Sequence, residues 1–213
     1  MRSILFALFL VFFSGCAKYA ETNVSVFHDL KPTLSGISYA IVPSNEQANS
    51  LEFQSYAKMV KAEFEKRGMI ETSYNKAQYA VYLSYGIDRG KPVVSSYPTY
   101  GEVGIGTSFS TGTITAVGNT ATYTGVTVNT PNYGIIGSES RTEMIFTSFL
   151  NMEIVDISKS LNGKKHKVYE GKANSSGQTG VLASIMPAIV RSVFQDFPGK
   201  SGSSTLRRES LGE

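Results

Sequence analysis

The chain of 213 residues has one cysteine, Cys16, no tryptophan, and only two histidines, His28 and His166. A single cysteine excludes an intramolecular disulfide, so packing and hydrogen bonds must stabilise the fold without covalent help. Zinc sites usually combine three or four ligands at short spacings, and neither histidine has a cysteine or a second histidine nearby. The sequence therefore predicts no metal site.

The chain also lacks a large excess of charge of either sign. Lys and Arg number 20 and Asp and Glu number 17, which gives a formal net charge of +3. Nucleic-acid-binding proteins concentrate positive charge on one face or segment, so this balance argues against a nucleic-acid partner.

Two short motifs bear on catalysis. Residues 106–110 are similar to a nucleophile elbow but lack its second glycine. Residues 101–106 contain close glycines, yet no Lys-Ser/Thr pair follows them to hold phosphate. A serine nucleophile would also need one of the two histidines as its base. We therefore expect no catalytic residue, no cofactor and no enzymatic activity.

The N-terminus has the organisation of an export signal. A positively charged start precedes an unbroken apolar run over residues 4–13. Ten helical residues rise about 15 Å, half of the ~30 Å hydrocarbon core, so the run is too short to span a bilayer. Ser14 and Gly15 are small and precede Cys16, as in the bacterial lipobox, which this segment resembles. The pattern predicts a lipoprotein signal peptide over residues 1–15, cleaved between Gly15 and Cys16.

Cys16 is the predicted site of lipid attachment. The alternative is an ordinary secretory signal with an incidental cysteine, which would leave an unpaired thiol in an oxidising compartment. Several acyl chains on one residue would anchor the protein durably, since each buried CH₂ contributes about 0.8 kcal/mol. By resemblance to lipoprotein sorting in enteric bacteria, Ala17 favours the outer membrane, facing the periplasm. Residues 16–22 are then a polar, lipidated tether to the membrane.

Apolar periodicity outlines one α+β domain over residues 23–198. Asn49 followed by Glu52 is typical of a helix start, and four apolar side chains then recur on one helical face: Phe53, Tyr56, Val60 and Phe64. A second helix is predicted from the apolar positions between Val181 and Phe197, with Pro187 either kinking it or marking its start.

Strands are predicted over residues 24–28, 37–42 and 79–87, and the alternation of apolar residues is strongest in the last. Two further strands, about 144–157 and 165–173, should form a hairpin across residues 161–163. Together these elements predict a two-layer sandwich, a mostly antiparallel sheet with two helices on one face. Residues 199–213 are polar and rich in Gly and Ser, which predicts a disordered tail.

The central tract, residues 92–138, is rich in Gly, Ser and Thr, and Glu102 is its only charged residue. Threonines alternate on both sides of Gly118-Asn119, where a glycine suits the first central position of a two-residue β-turn. The tract is therefore predicted to form a β-hairpin insertion with few charges to protect its edges.

Two groups of side chains are candidate contact sites. Lys164, Lys165 and Lys167 form a basic cluster that could touch anionic lipid headgroups or a polyanionic envelope polymer; the alternative is a solvated turn. Four tyrosines of the central tract could form a partner-contact face, or could pack on the domain: Tyr97, Tyr100, Tyr123 and Tyr133.

Several short motifs together resemble a known family. They are Phe-Glu-Lys-Arg-Gly over residues 64–68, Ala-Gln-Tyr-Ala-Val-Tyr-Leu over 77–83, Glu-Ile-Val-Asp-Ile over 153–157, and the Phe-Pro pair at 197–198. The chain is similar in these to the bacterial lipoproteins of domain-of-unknown-function family 4136, over roughly residues 24–198. Gln78 departs from the aspartate frequent in that family. The resemblance implies a fold and an envelope location, and it carries no catalytic residues.

The sequence leaves three hypotheses for function. The first is an envelope lipoprotein that acts as a binding or scaffolding module for an envelope protein or polymer, by strand addition at an exposed edge. The second is an oligomeric outer-membrane assembly or pore formed through the 92–138 hairpins. The third, a hydrolase, is disfavoured because no nucleophile or acid-base group stands out.

Overall fold

The computed structural model of the protein describes residues 19–31, 33–161 and 164–211. The chain divides into two compact units. The first contains the residues up to Lys91 and from Ile145 onward, and the second is Pro92–Met144. The predicted signal peptide, its cleavage position and Cys16 lie outside the described residues, as does most of the turn predicted at residues 161–163.

The fold is α+β, with two α-helices among the described residues and an open mixed sheet. The helices are α1 (Leu51–Glu65) and α2 (Leu182–Phe194), and a short 3₁₀ turn covers Tyr74–Lys76. The strands are β1 (Tyr19–His28), β2 (Ser38–Ile41), β3 (Ile70–Glu71), β4 (Tyr79–Ile87), β5 (Lys91–Val117), β6 (Thr120–Leu161), β7 (Lys164–Gly177) and β8 (Ser203–Ser210).

The sheet runs in the order β3-β2-β4-β6-β7-β1-β8, and β5 pairs with β6. Neighbours from β4 to β8 along this order are antiparallel, whereas β2 is parallel to both β3 and β4. The parallel pairing of β2 with β4 follows from the connection between them. Helix α1 lies between the two strands in the chain and returns the chain to the end of the sheet at which β2 began, so β4 runs in the same direction as β2.

The core of the first unit contains buried side chains of both helices and of the sheet. In β1 every second residue from Ala20 to Val26 is buried, as strand alternation requires. Helix α1 buries the four side chains predicted for it, at positions 53, 56, 60 and 64. Helix α2 begins at Leu182 and continues through Pro187. Three aromatic rings of the core meet edge to face or tilted: Phe64, Phe194 and Phe197.

The start of α1 differs from the prediction by one residue. The N-cap is Ser50, whose Oγ accepts a hydrogen bond from the backbone N–H of Phe53 at 3.2 Å. Glu52, predicted to reach back to the cap, instead accepts a hydrogen bond from the Tyr56 hydroxyl at 2.9 Å. Serine in this position satisfies one of the helix's free N–H groups in the same way as asparagine would.

The C-terminal segment corrects the predicted disordered tail. Residues Ser203–Ser210 form β8, which pairs antiparallel with β1 from Tyr19↔Ser210 to Val26↔Ser203. The tether predicted over residues 16–22 is also shorter than expected, because β1 already begins at Tyr19. Polar composition misled the prediction because an edge strand needs only backbone partners and one buried side chain, here that of Arg207.

Candidate functional site

The second unit consists of β5 and the first part of β6, and it has no buried side chain. All its residues are exposed or partly exposed, and it holds most of the large apolar side chains that the described chain exposes. Gly118, between the two strands, has a φ of 62°, a conformation that favours glycine. The unit therefore presents two long strands to its surroundings without a core of its own.

Cross-strand contacts fix how the two strands face each other. The Ser108 hydroxyl donates to Asn129 Oδ1 at 2.8 Å, and the hydroxyls of Ser110 and Thr127 are also 2.8 Å apart. The sequence motif at residues 106–110 thus contributes ordinary strand-to-strand hydrogen bonds.

The two faces of the strand pair differ in chemistry. Because side chains alternate along a strand, the residues next to these hydroxyls in sequence lie on the opposite face. That face carries exposed apolar side chains from both strands: Val103, Ile105, Phe109, Val126, Val128 and Ile136. At the same levels the hydroxyl face carries small and polar residues, but also the exposed side chains of Tyr133 and Ile135. Apolar side chains are therefore concentrated on one face of the strand pair and are not confined to it.

The four predicted contact tyrosines are exposed but occupy separate environments. The Tyr133 hydroxyl lies 3.4 Å from Glu102 Oε1, and the Tyr97 ring lies 6.0 Å from the Arg141 guanidinium. The Tyr123 ring covers two glycines, 112 and 125, where any added Cβ would collide with it. Tyr100 is 68% exposed. Their role as a partner-contact face stays a prediction.

Among the described residues, the outer edges of the second unit have no strand partner. There, β5 pairs with β6 only, and β6 pairs with β7 from Phe146 and with β4 from Ser148. No charged residue occurs between Glu102 and Glu139. Natural edge strands usually carry lysine, proline or a bulge against unwanted pairing, and here Pro131 is the only proline in that charge-free stretch.

The predicted basic cluster lies at the start of β7, in the first unit. Lys167 Nζ bridges two carboxylates, Glu153 at 2.8 Å and Glu170 at 2.6 Å, and these hydrogen bonds raise the pKa of Lys167. Lys165 Nζ lies 3.7 Å from the centre of the Tyr82 ring. Two of the three lysines are therefore engaged within the chain, and Lys164 is exposed.

The two histidines lie in separate strand contexts. His28 Nε2 is 2.9 Å from the Gly199 carbonyl oxygen, and its Nδ1 accepts a hydrogen bond from the Leu30 N–H at 3.2 Å. His166 pairs with Asp156 across β6 and β7. Within residues 19–31, 33–161 and 164–211, no three His, Cys, Asp or Glu side chains are grouped closely enough to hold a metal.

The carboxylate of Asp88 organises the last residues of the first unit before β5. Its Oδ1 accepts hydrogen bonds from the N–H groups of Thr147 and Gly90, both at 2.9 Å. These two bonds lower the pKa of Asp88. Sequence analysis did not single out this residue, although Asp two residues before glycine is a common turn signal.

In the described part of the chain, no helix is long and apolar enough to cross a bilayer.

Comparison with known proteins places the chain in a family. The fold defines its class, an α+β protein built on an open mixed sheet. A family model described as "Domain of unknown function (DUF4136)" matches residues 26–199, and the chain belongs to this family, as its motifs predicted. The matched range ends before β8 and omits the first seven residues of β1.

The search of curated proteins gives no match. Among solved structures, the chain is similar to the crystal structure of a PDZ domain protein from Parabacteroides distasonis, with 11% sequence identity and a TM-score of 0.49. The similarity covers 97% of this chain and 43% of that chain, so this chain spans less than half the length of that structure.

Proposed function

We propose that this protein is a non-enzymatic lipoprotein of the bacterial cell envelope that binds or scaffolds a partner through its second unit. A lipid on Cys16 anchors it, in the outer membrane and facing the periplasm. The first unit is a two-layer support with both helices on one face, and residues 92–138 form a β-hairpin insertion. The observation that carries the proposal is that not one side chain of the second unit is buried.

Two strands with nothing packed on them are at best marginally stable in water. The second unit therefore gains most from a partner that pairs with an open edge or covers the apolar face. Strand addition satisfies the free backbone N–H and C=O groups along an edge, and it needs no particular side chains from the partner. An envelope protein with an extended segment, or a polymer with hydrogen-bonding groups, meets this requirement.

The anchor is tested first. Metabolic labelling with an alkyne fatty acid should mark the wild-type protein and leave Cys16→Ser unlabelled, and only the wild type should sediment with membranes. A labelled, membrane-bound Cys16→Ser variant would refute the lipid anchor.

The binding role is tested by crosslinking the full-length protein in its own envelope. Two lysines in the apolar face, Val126→Lys with Val128→Lys, should abolish the crosslinked species because charge blocks both edge pairing and apolar cover. The matched control, Leu51→Lys with Leu206→Lys, changes two exposed apolar residues of the first unit and should keep the species. Equal crosslinking by both double variants would refute a role for the second unit.

The apolar face of the strand pair also favours a second candidate, an oligomeric outer-membrane assembly or pore in which the second unit contacts lipid. Membrane strands alternate apolar outward and polar inward residues, as residues 103–109 and 126–128 do. The chain has no tryptophan, so one engineered tryptophan is a clean probe. Phe109→Trp should be quenched by a spin-labelled acyl chain and the neighbouring Ser108→Trp should not. Equal quenching would reject this candidate.

A further inference from the structure

The end of the sheet where β1 begins is fixed to within a short distance of the proposed lipid. Only Ala17 and Lys18 separate Cys16 from Tyr19, the first residue of β1. Three residues of fully extended chain span at most about 11 Å. Because Tyr19 pairs with Ser210 of β8, it is part of the sheet and cannot swing away as a loose tether would.

The side chains at this end of β1 suit a membrane interface. Tyr19 is 51% exposed, and the Arg208 guanidinium stacks 4.7 Å from the centre of its ring. Arg208 Nε is also 3.8 Å from Glu21, which leaves the guanidinium near the surface at 67% exposure. An aromatic ring with a polar tip beside an arginine is typical of the headgroup region, where both residues can bury their apolar parts and keep their polar groups hydrated.

Strand direction places the ends of other strands at the same end of the sheet. Since β7 runs antiparallel to β1 and β6 antiparallel to β7, this end also contains Phe146, which pairs with Gly177. Strand β4 ends there as well, with Ile87 opposite Ser148. The chain therefore leaves the first unit for the second, and returns from it, at the sheet end where β1 begins.

The opposite end of the sheet holds the basic cluster. His28, at the end of β1, pairs with Tyr169 of β7, only two residues from Lys167. Along β7, Lys167 and Ser175 are eight residues apart, and Ser175 pairs with Thr22 near the start of β1. Eight strand residues span about 26 Å, so these lysines lie well away from the sheet end that holds Tyr19.

We infer that the first unit stands on the bilayer with the Tyr19–Arg208 end of its sheet against the lipid headgroups and with its basic cluster pointing away. The partner at this surface is the bilayer itself. The inference rests on the proposed lipid anchor at Cys16, and it goes beyond that anchor because it fixes which end of the domain meets the membrane. It also places both connections to the second unit next to the bilayer.

The absence of native tryptophan makes the orientation measurable. The full-length acylated protein is placed in vesicles of phosphatidylethanolamine and phosphatidylglycerol that contain a lipid with a nitroxide on its headgroup. Tyr19→Trp and Phe27→Trp are the matched probes. Both positions are more than half exposed at 51% and 61%, and the two residues lie on the same face of β1. They differ only by eight residues of strand, about 26 Å.

We expect at least about a twofold loss of emission for Tyr19→Trp and little change for Phe27→Trp, because nitroxide quenching needs near contact and the two sites are about 26 Å apart. Equal quenching of the two, or stronger quenching of Phe27→Trp, overturns the inference while the acyl label still supports the anchor. A missing acyl label instead refutes the proposed anchor, and the inference with it. Matching circular dichroism spectra and thermal midpoints show that both variants are folded.

Discussion

Arg207 of β8 donates a hydrogen bond from Nη1 to the carbonyl oxygen of Ser192 in α2, at 2.7 Å. Its Nη2 lies 3.1 Å from Asp196 Oδ2, and only 8% of the Arg207 side chain is exposed. One residue thus connects the C-terminal strand to the helix beneath it. Losing this side chain removes a charged hydrogen bond and leaves a carbonyl oxygen without its partner.

We predict that Arg207→Ala lowers the free energy of unfolding by about 2 kcal/mol, the usual magnitude for a buried hydrogen bond to a charged group. Arg208→Ala is the matched control, since its side chain is 67% exposed and should change stability by less than about 0.5 kcal/mol. Urea denaturation of both variants measures the difference. Equal stability of the two would show that β8 contributes nothing through this residue.

Gly68 follows the end of α1. We predict that Gly68→Ala lowers the stability of the fold more than Gly36→Ala does. Both glycines have left-handed backbones, with φ of 73° and 80°. A Cβ at Gly68 would come 2.7 Å from Ser35 Oγ, whereas one at Gly36 would meet nothing within 4 Å. Each alanine costs about 1 kcal/mol for its backbone, and Gly68→Ala should cost roughly 1 kcal/mol more for the clash.

The thermal midpoints of the two variants measure that difference directly. The two glycines are also hydrogen-bonded to each other, because the Gly36 N–H donates to the Gly68 carbonyl oxygen at 2.8 Å. A shared backbone shift would therefore affect both variants alike. If Gly36→Ala were as destabilising as Gly68→Ala, the contact with Ser35 would have no energetic weight.

Asp156 gives the stability a defined pH dependence. Burial raises the pKa of this carboxyl, but hydrogen bonds from the Ser158 hydroxyl at 2.6 Å and from the N–H groups of Ser158 and Lys159 outweigh burial, so its pKa lies below the ordinary value. A lowered pKa in the folded state means that the carboxylate stabilises the fold above the ordinary pKa of aspartate, and that this contribution is lost as the pH falls through the lowered value.

We therefore predict that Asp156→Asn costs about 1–2 kcal/mol at neutral pH and that the difference from wild type narrows below about pH 4. Chemical denaturation across this pH range measures both quantities. Glu46→Gln, at an exposed position, is the control and should change stability by less than about 0.5 kcal/mol. A constant gap between Asp156→Asn and wild type would contradict the assignment.

Much of the first unit could be predicted because its signals are local. The stripe on α1 and the alternation of Tyr79–Ile87 each depend on which residues repeat along one segment. Strand β8 has no such signal. Its one apolar side chain, Leu206, is 67% exposed, and its buried residue is Arg207, whose partners lie on α2 and just beyond it. Pairing of this kind depends on tertiary contacts that no local pattern records.

The features of the candidate site also divide into those that the sequence predicts and those that depend on tertiary contacts. The charge-free tract and its glycine turn are visible in the sequence, and they predicted strands around Gly118. The distance of the basic cluster from the start of β1 is a property of strand order, in which β7 lies beside β1 and runs against it. The hydrogen bond that Lys167 donates to Glu153 likewise depends on strand order, because Glu153 lies on the neighbouring strand β6.

That placement leads to a prediction for the basic cluster. If the Tyr19 end of the sheet faces the bilayer, then Lys165→Gln with Lys167→Gln should leave vesicle binding by the acylated protein unchanged. A basic residue near an anionic surface contributes about 1 kcal/mol. If both lysines contacted the headgroups, replacing them would therefore weaken binding roughly 30-fold. The comparison uses vesicles with and without phosphatidylglycerol, and wild type in each is the reference. A loss of binding confined to the anionic vesicles would bring the cluster to the membrane and contradict the proposed orientation.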